Sequence, residues 1–255
     1  MIRVCVAAVI FALSVGATRA QQAPACDIPA YLVFGETPLK RVAAAVKERK
    51  RLDIVVMGTG SSALAGADGA AKSYPARFKA ALERRLPGVE IKVVPQAKSR
   101  QSAAEMVKAI DKLLLDGVPA LVVWQTGTAD AMRGIDADEF QQSLDRGIAM
   151  LNERGADVVL MNMQYSPRTE SMIHLDNYAD VMRAVARERE VPLFDRLSLM
   201  RYWNDTGEFD LASGTRDNVL ATRVHECLGQ ALALLVVEAA QLDKTQDQTP
   251  DKPAQ

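Results

Sequence analysis

Apolar residues follow two different rhythms along this chain, and the two alternate. Short apolar runs occupy 53–58, 90–94, 120–125, 157–161 and 191–194. Their lengths, their β-branched content and the glycines or polar residues that bound them predict strands. Between them, apolar residues recur at helical spacing over 39–49, 74–86, 102–116, 136–154, 178–189, 197–203 and about 227–242, as amphipathic helices require. Phe140, Leu144, Ile148 and Leu151 make one such stripe, ended by Gly155. The segment 165–169 reads as a loop and 205–221 as polar, irregular chain. Strands without polar alternation are covered on both faces. Strand and helix alternating five times predicts one three-layer α/β/α domain over 21–242, with a mostly parallel, five-stranded, flavodoxin-like sheet.

The first strand stops abruptly. Ile54, Val55, Val56 and Met57 run into Gly58-Thr59-Gly60, followed by Ser61 and Ser62. Glycines beside the serines permit a tight turn. The carboxyl ends of parallel strands are where open α/β sheets carry their sites.

Composition excludes more than it suggests. The formal net charge is −1, aromatics are 5% and hydrophobic residues 49%. No basic footprint or stacking platform points to nucleic acid, and nothing points to an anionic membrane. Residues 1–20 read as a secretory signal: a basic start, an apolar stretch from Val4 to Val15, and Thr18-Arg19-Ala20 ahead of Gln21. That stretch is too short for a comfortable span, so no integral membrane span is expected after cleavage, and the protein is expected to be exported, periplasmic or secreted. Cys5 falls in the signal, leaving Cys26 and Cys227 in a compartment where disulfides persist; a bridge between them and two free thiols both fit. The tail, 243–255, has the composition of disordered chain.

The loops after the strands share one rim, which gathers Ser61 and Ser62, residues 97–101, 126–133 and 164–168, and His225, placed in a polar loop before the last helix. A serine, a histidine and backbone amides are the parts of acyl transfer. Two distant histidines and cysteines at no ligand spacing make no metal set, and Gly58-Thr59-Gly60 completes neither nucleotide-binding pattern; no cofactor is implied.

A glycine-serine turn after strand one, a glycine motif after strand three and a late histidine, in that order, resemble the SGNH (GDSL-type) hydrolases over roughly residues 50–242. Gly60-Ser61-Ser62-Ala63-Leu64-Ala65-Gly66 is similar to their GDSLTAG-like block, Trp124-Gln125-Thr126-Gly127-Thr128-Ala129-Asp130 to their GTND block, and Val224-His225 with Gly229 to their DxxH block. The glycine pair puts the nucleophile at Ser62; counting from the strand end puts that position on Gly60, and an insertion moves it to Ser61 or Ser62. The resemblance puts oxyanion donors at the backbone of the serine turn and of Ala97, with Gly127 shaping the third-strand loop. The family's asparagine falls on Ala129 and its acid on Thr222, with Asp130 or Asp217 as substitute carboxylates.

Two functions follow from the resemblance. One is an exported serine hydrolase that cleaves an acyl or acetyl ester on a small molecule or glycan through a Ser–His pair. The other is a non-catalytic descendant that binds a glycan or protein in the cell envelope.

Overall fold

The computed structural model describes residues 26–33, 37–213 and 218–242. The expected signal, 1–20, and the expected disordered tail, 243–255, lie outside the described residues, as does Asp217. Five parallel strands form the sheet: β1 (Arg51–Gly58), β2 (Glu90–Ala97), β3 (Leu121–Gln125), β4 (Asp157–Met161) and β5 (Leu193–Phe194), in the order β2-β1-β3-β4-β5. Every residue of β3 and β4 is buried, as expected for strands roofed on both faces. The order reverses between β1 and β3. A crevice opens there at the strands' carboxyl ends, where such sheets bind ligands.

Among the described residues six helices reach ten residues: α1 (Lys40–Arg49), α2 (Tyr74–Arg85), α3 (Ala137–Arg154), α4 (Leu175–Glu188), α5 (Arg196–Asp205) and α6 (Val219–Ala239). On one face α2 packs against α6; on the other, α3 packs against α4 and the short helix Ala103–Val107. The alternation of side chains along β3 feeds the two layers. Trp124 turns toward α3, where Gly147 has no room for a Cβ beside its ring, and Gln125 turns toward Tyr74 of α2. The contact of α2 with α6 is close because Gly229 lacks a side chain: a Cβ there would sit 2.6 Å from Phe78 N and 2.6 Å from Arg77 Cβ. By length and composition α6 could cross a membrane, but here it is a core helix with most of its residues buried.

Four local expectations change. The predicted helix 102–116 is two short helices, Ala103–Val107 and Ile110–Leu113; Ser102 and Glu105 form a reciprocal capping box at its start. Strand β2 continues through Pro95 to Ala97, since it pairs only with β1 and an edge strand can spare one N–H. Residues 167–170, expected as loop, form a helical turn that Ser166 caps. Helix α6 begins at Val219, eight residues earlier than the sequence suggested, because Leu220, Val224 and Leu228 already repeat at a helical interval of four. His225 therefore sits on the second turn of a helix and not in a loop before it.

Candidate functional site

Beyond β1 the chain makes one 3-10 turn, Gly60–Ser62. Ser62 folds back under the strand end; a Cβ on Gly58 would collide with its Oγ. Ser62 is thereby buried, and Ser61 is left partly exposed on the wall of a cavity of about 470 Å³ that Ser99, Arg100, Thr128 and Gln164 also line.

Gln125, at the end of β3, ties this turn together. Its Oε1 accepts from the Ser62 hydroxyl and from Tyr74 OH at 3.1 Å. Its Nε2 donates to Thr59 Oγ1 and to Ser61 Oγ, each at 2.8 Å. A primary amide has two donors and two acceptor sites, so all its capacity is used and its orientation is fixed. The Ser62 proton goes to a neutral amide oxygen, which is no base.

His225 is held from the other side. The main-chain N–H of Tyr74, the first residue of α2, donates to His225 Nδ1 at 2.8 Å. A peptide N–H can only donate, so Nδ1 carries a lone pair and the neutral ring has its proton on Nε2. Burial, and then the charge of Arg196, lower the His225 pKa to about 4.

Arg196 is the least expected member. It opens α5 behind Asp195, yet it is only 1% exposed. Nη2 donates to Ser61 Oγ at 3.3 Å, Nε has no partner, and no described carboxylate pairs with it. Desolvation lowers its pKa to about 10, which leaves it a cation at neutral pH. The neighbouring Asp195 is committed elsewhere, to Asn162 Nδ2 (2.7 Å), Ser198 N (3.0 Å) and Arg183 (2.8 Å). Arg196 and His225 share the wall of a second cavity, of about 270 Å³, with Gln164, Tyr165, Leu211 and Leu228. Gln164 lines both cavities.

The other sequence candidates are distributed around this centre. Ala97 lies at the exposed end of β2, level with Gly58, while Ser99 and Arg100 form the adjoining cavity wall. Gly127 adopts φ 101° and a Cβ there would strike Met163 Sδ, so the turn out of β3 depends on a glycine. Asp130 is buried and accepts the Ala103 N–H at 3.0 and 3.2 Å; burial raises its pKa despite that bond. Its carboxylate braces the start of the 103–107 helix. Cys26 and Cys227 are bonded, with Cα atoms 5.5 Å apart, and this links the early chain to the turn of α6 that carries His225.

The structure thus joins Ser61 to Ser62 through Gln125, and joins His225 to that cluster through Tyr74 and Arg196. Among the described residues no hydrogen bond connects either serine to His225. Sequence reasoning missed Tyr74 and Arg196 altogether, and quoted Gln125 only as part of a block. An arginine opening an amphipathic helix directly after an aspartate looks like an ordinary surface ion pair, so nothing in the sequence marked Arg196.

A model of the non-GDSL lipase-like family matches residues 25–242. The esterase TesA of Pseudomonas aeruginosa is 29% identical over 146 residues, covering 55% of this chain and 68% of that protein. An arylesterase of Vibrio mimicus is 25% identical over 122 residues, 48% of this chain and 60% of the relative. Among solved structures, a two-domain esterase active on acetylated mannans superposes with a TM-score of 0.69 at 14% identity, covering 90% of this chain and 61% of that one. This last likeness is one of fold.

Proposed function

The chain belongs to the non-GDSL lipase-like family of SGNH-type hydrolases, and from that premise we propose that its rim binds a small acylated ligand, such as an ester-bearing glycan or lipid, without turning it over through a Ser–His pair. The observation that carries this reading is the Tyr74 N–H on His225 Nδ1. In a Ser–His mechanism Nε2 must offer a lone pair to the serine proton, while Nδ1–H donates to an orienting acid. Here the tautomer is reversed, the position where the resemblance puts the acid holds Thr222, and the depressed pKa weakens the ring as a base. The compartment in this reading is outside the cytoplasm, on the pattern of residues 1–20 and the Cys26–Cys227 link, a bond that persists under oxidising conditions.

One observation favours a second reading, ester hydrolysis. Ser61 faces a cavity and receives hydrogen bonds from Gln125 and Arg196, donors that would stabilise negative charge on its oxygen. Esterase relatives supply the substrate class. In that reading Ser61 attacks the ester carbonyl. His225, released from the Tyr74 N–H and turned to its other tautomer, takes the serine proton, returns it to the leaving alcohol, and then activates the water that frees the acyl group from Ser61. Amides of the serine turn and of Ala97 hold the oxyanion.

A fluorophosphonate probe and p-nitrophenyl acetate separate the two, applied to the disulfide-intact protein without residues 1–20 and to Ser61→Ala, Ser62→Ala and His225→Ala. The binding reading expects no labelling and no serine-dependent hydrolysis. Labelling lost in one serine variant, together with hydrolysis lost there and in His225→Ala, overturns it in favour of the hydrolase.

A further inference from the structure

A buried cation without a counter-charge is costly unless something supplies one. Among the described residues Arg196 is such a cation: 1% exposed, bonded only to a neutral hydroxyl, with Nε unpartnered. The nearby acids do not serve. Asp195 is spent on Asn162, Ser198 and Arg183. Tyr74 is fully buried, and burial raises its pKa from an already high value, so the phenol stays neutral. His225 adds no negative charge either, and its tautomer turns it into a donor through Nε2–H.

The cavity that Arg196 and His225 line has no acidic residue among its described walls, and Leu211, Leu220, Val224 and Leu228 contribute apolar surface to it. We propose that this second cavity is a receptor for a monocarboxylate with a short apolar tail, its head group held by the Arg196 guanidinium and the His225 Nε2–H and its tail against the leucines. One cation beside a neutral imidazole matches a single negative charge, which selects a carboxylate over a phosphate dianion. The apolar wall asks for a hydrocarbon chain rather than a free inorganic ion. A guanidinium is suited to the planar, two-oxygen head of a carboxylate. The inference rests on the reading that this rim binds small molecules, and it holds whether or not Ser61 turns an ester over.

Hexanoate is the probe, with hexanamide and hexan-1-ol as uncharged analogues and inorganic phosphate as the competing anion, titrated calorimetrically against the disulfide-intact protein at pH 7. The expected result is hexanoate binding about tenfold or more tighter than either analogue, with the preference lost in Arg196→Met and partly kept in Arg196→Lys. Circular dichroism checks that the variants fold. If Arg196→Met does not fold, the comparison of hexanoate with hexanamide on the unaltered protein decides by itself. Equal binding of acid and amide, no hexanoate binding, or tighter binding of phosphate overturns the proposal. The outcomes are separable from those of the functional reading. Serine-dependent ester hydrolysis with hexanoate selectivity defeats only the non-catalytic reading, and no hydrolysis with no hexanoate binding defeats only this one.

Discussion

The peptide N–H of Tyr74 meets the imidazole of His225 across 151 residues of sequence, at 2.8 Å from Nδ1. The bond fixes the tautomer, and the burial behind it fixes the titration. Nitrogen-15 chemical shifts of the ring, followed from pH 3 to 8, are expected to show a protonated Nε2, a bare Nδ1 and a midpoint near 4. A protonated Nδ1 and a midpoint near 6.5 would restore His225 as a candidate base.

The same group makes stability depend on pH. The folded pKa, about 4, lies below the ordinary 6.5, so at acid pH the unfolded chain takes up the proton first. The contribution from His225 is fully present above pH 6.5 and is lost as the pH falls from 6.5 toward 4, by up to about 3 kcal/mol. His225→Asn keeps an acceptor near the Nδ1 position and removes the titration. Urea denaturation at pH 7 and pH 5 is expected to show a smaller loss for the variant than for the unaltered protein. Equal losses would mean that the ring is solvated in the folded state.

Gln125 holds four polar partners at once, three of them buried. Gln125→Ala opens a cavity and strands their hydroxyls, and is expected to cost about 2–4 kcal/mol in the same denaturation experiment. A cost under 1 kcal/mol would show that water replaces the amide without penalty.

Gly229 sets the spacing that lets Tyr74 reach His225, since a methyl group there meets the backbone of Phe78. Gly229→Ala is expected to destabilise by about 1–3 kcal/mol and to move the His225 midpoint up toward 6.5, because α2 and α6 must part. A stability change with no change in midpoint would uncouple the helix spacing from the tautomer.

Much of the architecture was legible because it depends on period. The apolar runs of β3 and β4 are too short for helices and lack polar alternation, which reads as two-sided strands, and the stripe from Phe140 to Leu151 recurs at helical spacing. The reach of α6 back to Val219 was legible too, in Leu220 and Val224, but the polar stretch before them reads as irregular chain. The rim was legible as a place and not as chemistry. Ser61 and Ser62 are adjacent in sequence, yet Gly58 lets one turn inward and leaves the other facing out. The donor that sets His225 belongs to a peptide group and has no residue type to betray it. Arg196 is buried by tertiary packing, bonded to the turn that carries Ser61 and sharing a cavity wall with α6, which no local pattern encodes.

The bridge between Cys26 and Cys227 has a topological consequence. It closes the chain from Cys26 to Cys227 into a covalent ring across a sequence separation of 201, leaving only 228–242 of the described residues outside it. One proteolytic cut at a surface turn inside the ring, such as that at Gly117 or Gly134, then opens the ring without dividing the molecule. The nicked protein should migrate as one species on a denaturing gel and separate into two fragments only when thiol is added. Damage to a single loop would leave the rim's two halves tethered.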